Sequence, residues 1–275
     1  MSRFSAVLSR SVRQPGAVLA ITALLLFVGW AAFPQLFATH DPVDDLDPAS
    51  SLTGPSAAHW FGTDLLGRDV YSRVVYGARV SLLAGTLAVA ISLVVGTALG
   101  MIAASVGRWV DSAISRFVDV LVAIPGLLLS MAFVSILGFG VERVAIAVGI
   151  AGIPGFARLA RAETIRILSL PYFDAARTSG TSGPLTLVTH IVPNATGPVI
   201  VLAGLELGGA ILSVAALSFL GFGAVPPHPE WGSMVNEGRI QIAEAWWLTT
   251  FPGLVIVLTV LSLNRLSRNA RTRAR

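Results

Sequence analysis

Long apolar runs separated by short polar stretches dominate the chain, and a helix needs about 20 apolar residues to cross a hydrocarbon core. Six runs reach or approach that length: roughly residues 16–37, 79–104, 118–138, 144–160, 196–222 and 247–264. Each is predicted to be helical, because a bilayer offers no partner to open backbone N–H and C=O groups. Two runs carry helix-disrupting chemistry, Pro125-Gly126 in the third and Gly152-Ile-Pro-Gly155 in the fourth. The fourth run is short and is expected to be broken there. Broken helices can mark a substrate site, although Gly and Pro also serve packing or kinks. The first run follows the basic segment "MSRFSAVLSRSVRQPG", as in a signal peptide. Its length, and the lack of a small-residue cleavage site, favour a retained first span.

The pattern therefore predicts an all-α membrane protein with six transmembrane helices. Its expected organisation is an N-terminal segment, first span and long loop (1–78), a core of five spans (79–264) and a basic tail (265–275). No long internal repeat is visible.

Composition agrees: 54% of the 275 residues are hydrophobic and 12% charged, against about 25% charged in soluble domains. There is no cysteine, which excludes disulfides and thiolate metal sites. Lysine is absent as well, since all 19 basic residues are arginine. A G-x-x-x-x-G-K-[ST] phosphate loop is therefore impossible, and nucleotide-driven work falls to another polypeptide.

Charge sorts by membrane side. The N-terminus, residues 105–117, 157–195 and the tail together carry +11, while 38–78, 139–143 and 223–246 carry −4, 0 and −2. The arginine-rich set marks the cytoplasm, so both termini are expected there. The same sorting explains the basic excess without nucleic acid.

Single residues add candidates. Glu206 is a carboxylate in the fifth run and a functional candidate by default; it could line a path, lie near a span end or pair with a partner's arginine. His228, in "PPHPEW", faces outward and either touches cargo or fills a turn. Asp119, three residues after Arg116, is expected to form a local ion pair. Arg79 is expected to snorkel at the second span's outer interface, and Trp246 and Trp247 to sit in an aromatic belt. Asp41, Asp44, Asp45 and Asp47 lack calcium-loop spacing and read as a solvated acidic face. No two histidines are spaced as ligands on one helix. No nucleophile–base constellation stands out, so nothing points to an enzyme.

The polar stretch "YFDAARTSGTSG" (172–183) lies on the arginine-rich side. Tyr172 to Ser179 can form about two helical turns, Gly180 can end them, and Pro184 can open the next helix. Ala175 and Ala176 leave one face small, which suits close docking of a partner.

"DAARTSGTSGPLTLVTHIVPN" (174–194) resembles the cytoplasmic loop of ABC importer permeases. Asp174-Ala175-Ala176, Gly180 and Pro193 fall at the family spacing, with Asp174 in place of the usual glutamate. His190, in "HIVPN", is similar to the peptide-importer branch. "FGTDLLGRDVYSRVVYGARVSL" (61–82) and "LSFLGFGAVPPHPEWGSM" (217–234) look like segments of the same dipeptide, oligopeptide and nickel branch.

The resemblance implies a type I ABC importer permease fold in the bacterial cytoplasmic membrane, with a coupling helix inside the loop 161–195. It implies a second homologous permease, two ATPase subunits that carry ATP and Mg, and an extracytoplasmic binding protein. It assigns Tyr172, Asp174, Ala175, Ala176, Arg177, Gly180 and Pro193 to the ATPase-coupling surface, and no cofactor to this chain. The alternative, an ion-coupled transporter without an ATPase, would need a membrane-embedded network of ionisable residues; the sequence offers Glu206 and little else.

Overall fold

A computed structural model describes residues 15–170 and 192–271, and among them regular structure is helical apart from one isolated bridge between Thr63 and Asp69. Helix α1 (Pro15–Ala32) turns at Phe33 into the single turn α2 (Pro34–Phe37). A loop with a 3-10 turn at Pro48–Ser50 leads into α3 (Val70–Val106). Then follow α4 (Arg108–Ala123), α5 (Gly126–Leu137), α6 (Val141–Leu168), α7 (Val192–Phe219), α8 (Trp231–Gly238) and α9 (Trp247–Arg271). The coupling residues Tyr172, Asp174, Ala175, Ala176, Arg177 and Gly180 lie outside the described residues.

Among the described residues four helices, α3, α6, α7 and α9, are long and apolar enough to span, and α4 with α5 makes a fifth if the bent pair is one span. Helix α1 has 18 residues, near the lower limit of about 17 for a span. The six expected runs thus coincide with six helical segments, with revised boundaries. The segments alternate in direction. One end gathers the loops 38–69 and 220–246, and we call it the capped end; at the other, arginine-rich end Gly16 meets the Arg265 guanidinium.

The second segment begins nine residues before the predicted 79, because Asp69 caps it: its Oδ2 accepts the Ser72 N–H at 2.8 Å. At 37 residues α3 is about 55 Å long, well beyond the ~30 Å hydrocarbon core. Its first turns are packed into the capped end, where Val70, Tyr71, Val74 and Val75 join Trp231 and Trp247 in one core.

Helices α3 and α6 form the most extensive contact in the bundle. Gly96 and Gly100, one helical turn apart on α3, make it possible: a Cβ on either would collide with the α6 backbone at Ile153 or Ala157. In a membrane, where burial of apolar surface drives little, such close approach supplies the dispersion contact that holds helices together. The same contact overrides the expected break at 152–155. Helix α6 runs continuously through the buried Pro154. Ser92 Oγ of α3 donates to the Gly149 carbonyl at 2.7 Å, beside the Ile150 carbonyl that Pro154 leaves without its helical partner. At Pro125, by contrast, the chain does break, with Ile124 extended and α4 and α5 bent by 97°.

An aromatic cluster closes the capped end. Phe27 and Trp30 of α1 pack on Trp231 and Tyr71, while Phe61 stacks on Phe251 with ring centroids 4.1 Å apart. Trp247 belongs to this core rather than to a lipid-facing belt, since it is buried and its Nε1 donates to the Thr63 carbonyl at 3.1 Å. Trp246 is half-exposed beside it.

Candidate translocation site

A cavity of about 220 Å³ opens between α3, α5, α6 and α7, next to the break in the third segment. Its polar lining is Ser92, Ser130, Ser213 and Glu206, and Gly126, Gly152 and Gly209 form small-residue walls. Ser92 and Ser130 spend their hydroxyls on helix carbonyls, Ala88 and Gly149 for the first and Gly126 for the second. Glu206 lies near the middle of α7, which removes the span-end alternative. It makes no hydrogen bond or ion pair within the described residues. A carboxylate at membrane depth is costly unless it meets water, cargo or a cation from a neighbouring subunit. Among the described residues no ionisable side chain joins Glu206 in the cavity, so the network that an ion-coupled carrier needs is not formed there.

His228 does not share this cavity. It is exposed at the capped end, where it lines a separate recess of about 410 Å³ with Val80, Phe139, Glu142, Arg143 and Val225. The two substrate-path candidates are therefore not brought together. Pro193 stands in the first described turn of α7 and is exposed.

Among the buried charged residues of the capped end, Arg73 and Glu230 tie the most distant parts of the chain together, and sequence reasoning missed both. Arg73, with a side chain 2% exposed, donates to the Pro42 and Pro227 carbonyls at 3.1 and 3.2 Å and to Glu237 Oε2 at 3.3 Å. Its Nε lies 3.5 Å from Asp64 Oδ2. Asp64 is held in turn by Arg68 Nε at 2.7 Å and by the Leu66 and Arg68 N–H groups. One guanidinium thus fastens four separate stretches of the cap. Gly67 closes this turn with φ +76°, and a Cβ there would strike the Asp47 carbonyl.

Glu230 is fully buried and caps α8. Its Oε1 accepts from Gly232 N–H at 2.9 Å and Ser81 Oγ at 3.0 Å, and its Oε2 from Ser233 N–H at 2.9 Å. Burial pushes the Glu230 carboxyl above its ordinary range, opposed by those donors. Trp231, beside it, donates from Nε1 to the Val74 carbonyl at 2.9 Å. The readable signal was a lone acid between Pro229 and Trp231 at a helix start, but glutamate is an unusual cap.

At the arginine-rich end, α4 is pinned to α6. Arg161 makes a two-point bond to Asp111, at 2.6 and 2.7 Å. Asp119 pairs with Arg158 of α6 at 3.0 Å, not with Arg116 as its spacing suggested, because its side chain faces the neighbouring helix.

Apolar helices of spanning length around a cavity that holds one carboxylate fit the membrane-embedded subunit of a transporter. A family model described as binding-protein-dependent transport system inner membrane component matches residues 96–275. A glutathione transport system permease protein of Pectobacterium atrosepticum is 42% identical over 262 residues, covering 95% of this chain and 87% of the relative. A dipeptide transport system permease protein of Alkalihalophilus pseudofirmus is 42% identical over 255 residues, covering 93% and 84%. Among solved structures, the inward-facing MetNI methionine ABC transporter matches with TM-score 0.56 at 16% identity, over 72% of this chain and 94% of that one. An amino acid ABC transporter with histidines matches with TM-score 0.53 at 16% identity, over 73% and 94%. The chain belongs to the binding-protein-dependent transport system inner membrane component family and is a permease subunit of an ABC importer. It is a multi-pass inner-membrane protein, and its family works with another permease, ATPases and a binding protein.

Proposed function

We propose that this chain and a second homologous permease form the path for peptides or similar small cargo delivered by an extracytoplasmic binding protein. The capped end faces outward, and the arginine-rich end, with both termini, faces the cytoplasm. Two ATPase subunits, carrying ATP and Mg, engage the segment 172–183 through Tyr172, Asp174, Ala175, Ala176, Arg177 and Gly180, with Pro193 at the start of the next span.

The observation that carries this reading is the Glu206 carboxylate, without a partner among the described residues, near the middle of an apolar helix and lining a cavity beside a broken span. A peptide's ammonium group is the complementary charge. The names of the relatives, glutathione and dipeptide permeases, agree with such cargo.

The test is ATP-driven uptake of a labelled dipeptide by the full complex in proteoliposomes. Glu206→Gln and Glu206→Leu should depress uptake while membrane insertion and basal ATP hydrolysis persist; unchanged uptake in both would remove Glu206 from the path. Gly180→Pro and Asp174→Arg should uncouple hydrolysis from uptake without preventing insertion. Normal uptake in both, at normal expression, would overturn the coupling assignment.

A further inference from the structure

No pair of histidines is spaced as ligands in the sequence, yet the fold brings two together at the capped end. His40, His59 and Asp69 each offer one ligand atom, and these atoms lie within 4.8 Å of one another. The three come from different parts of the cap: the loop after α2, the turn at 56–62, and the N-cap of α3.

We propose that His40, His59 and Asp69 form a binding site for a borderline divalent cation of the Zn²⁺ class. Two imidazoles and one carboxylate are a donor set for such ions, whereas hard cations such as Ca²⁺ take all-oxygen shells. Both imidazoles already lie against the Asp69 carboxylate. His59 Nδ1 lies 3.0 Å from Asp69 Oδ1, and His40 Nδ1 lies 3.9 Å from Asp69 Oδ2. Ligand atoms about 2.0 Å from a tetrahedral ion are roughly 3.3 Å apart, so with all three atoms within 4.8 Å of one another binding asks the two partly exposed imidazoles to draw in by at most about 1.5 Å. The imidazole rings lie alongside one another, with centroids 4.8 Å apart and planes tilted by 33°.

The backbone beneath the site is fixed without any ion. Thr39 N–H and His40 N–H both donate to Ser72 Oγ, at 3.1 and 3.0 Å. Ser56 N–H donates to the His59 carbonyl at 2.8 Å, and His59 N–H returns to Ser56 Oγ at 3.1 Å. Asp69 is an anchored anion, 1% exposed, while the His40 and His59 side chains are 30% and 19% exposed. An ion can therefore enter past the imidazoles onto a buried carboxylate. It would replace the contacts of His59 Nδ1 with Asp69 and of His40 Nδ1 with Thr39 Oγ1, the latter at 3.0 Å. Three protein ligands leave a fourth position for water or another donor. Bound there, the ion staples two loops of the cap to the first turn of α3.

The test uses the full chain, purified without a histidine tag and titrated with Zn²⁺ alone by calorimetry and chelator competition. One Zn²⁺ per chain is expected, with His40→Asn and His59→Asn each weakening binding by more than about tenfold and Asp45→Asn, in the exposed acidic loop, leaving it unchanged. Absence of stoichiometric binding overturns the proposal, as does full affinity in both histidine variants or an equal loss in Asp45→Asn. If a variant folds poorly, X-ray absorption of the Zn²⁺-loaded wild-type chain decides: two imidazole ligands support the site and fewer sink it. Zn²⁺ binding is independent of the transport reading, so either can fail alone.

Discussion

Replacing Glu230 by alanine should release α8 from the cap. Its carboxylate satisfies two backbone N–H groups, those of Gly232 and Ser233, and the Ser81 hydroxyl, in a site with no solvent exposure. The Ser81 hydroxyl can turn to its own helix, but the two N–H groups cannot turn away. Each buried donor left without a partner costs about 1–3 kcal/mol, so Glu230→Ala should destabilise this element by about 2–6 kcal/mol. Since 1.4 kcal/mol is a factor of ten, local opening should increase by at least roughly thirtyfold. Arg239, in the 3-10 turn directly after α8, gives the readout, because trypsin cleaves there only when the segment opens. In detergent, under conditions where reclosing outpaces cleavage, the rate at Arg239 reports the open population. Cleavage at Arg143, in the first turn of α6, should keep its wild-type rate. A rate at Arg239 within about threefold of wild type would mean that Trp231 and the aromatic cluster hold α8 alone, refuting the capping argument.

Further outcomes follow from other contacts. Burial raises the folded Glu230 carboxyl above its unfolded value, near 4.5, so its contribution is complete below that value and is lost as pH rises through the folded one. Wild type should thus lose stability relative to Glu230→Gln as pH rises from about 4.5, and a pH-independent difference in Arg239 cleavage would contradict it. Gly100→Leu should cost about 3 kcal/mol or more through α3–α6 overpacking, seen as loss of monodisperse protein after extraction. Gly155→Ala, where a Cβ meets open space, should be tolerated. The Asp111–Arg161 pair is about one-third exposed, so a double-mutant cycle with Asp111→Asn and Arg161→Gln should give a coupling of about 1 kcal/mol, and a value near zero would make the fork incidental.

Hydrophobic periodicity made the six apolar segments legible, because lipid leaves the backbone only one solution. Charge asymmetry made their alternation legible, and it agrees with the gathering of 38–69 and 220–246 at one end. The capped end was not legible in the same way. Arg73 has four partners, and they come from residues 42, 64, 227 and 237. Contacts so distant in sequence leave no local period to read. His40, His59 and Asp69 converge by the same route. Asp119 shows the smaller version of this limit: its spacing from Arg116 satisfied a helical rule, and a neighbouring helix supplied a different arginine.

The sharpest case is one tripeptide used twice. Ile124-Pro125-Gly126 and Ile153-Pro154-Gly155 are identical in sequence, and both bring the same local penalty for continuing a helix. The first breaks the chain by 97°, and the second lies inside an unbroken helix of 28 residues. Burial separates them: Ile124 is 42% exposed and Ile153 is 6% exposed. Against α3, residues 152–157 gain a contact surface along the Gly96–Gly100 stretch that a break would forfeit. Residues 124–126 have no such helix to lose, and a Cβ on Gly126 would meet nothing. Propensity therefore sets an equal cost at the two sites, and tertiary contact decides which one bears it. The break left at Pro125 is what opens the wall of the Glu206 cavity, so the tripeptide the packing does not rescue is the one that shapes the candidate path.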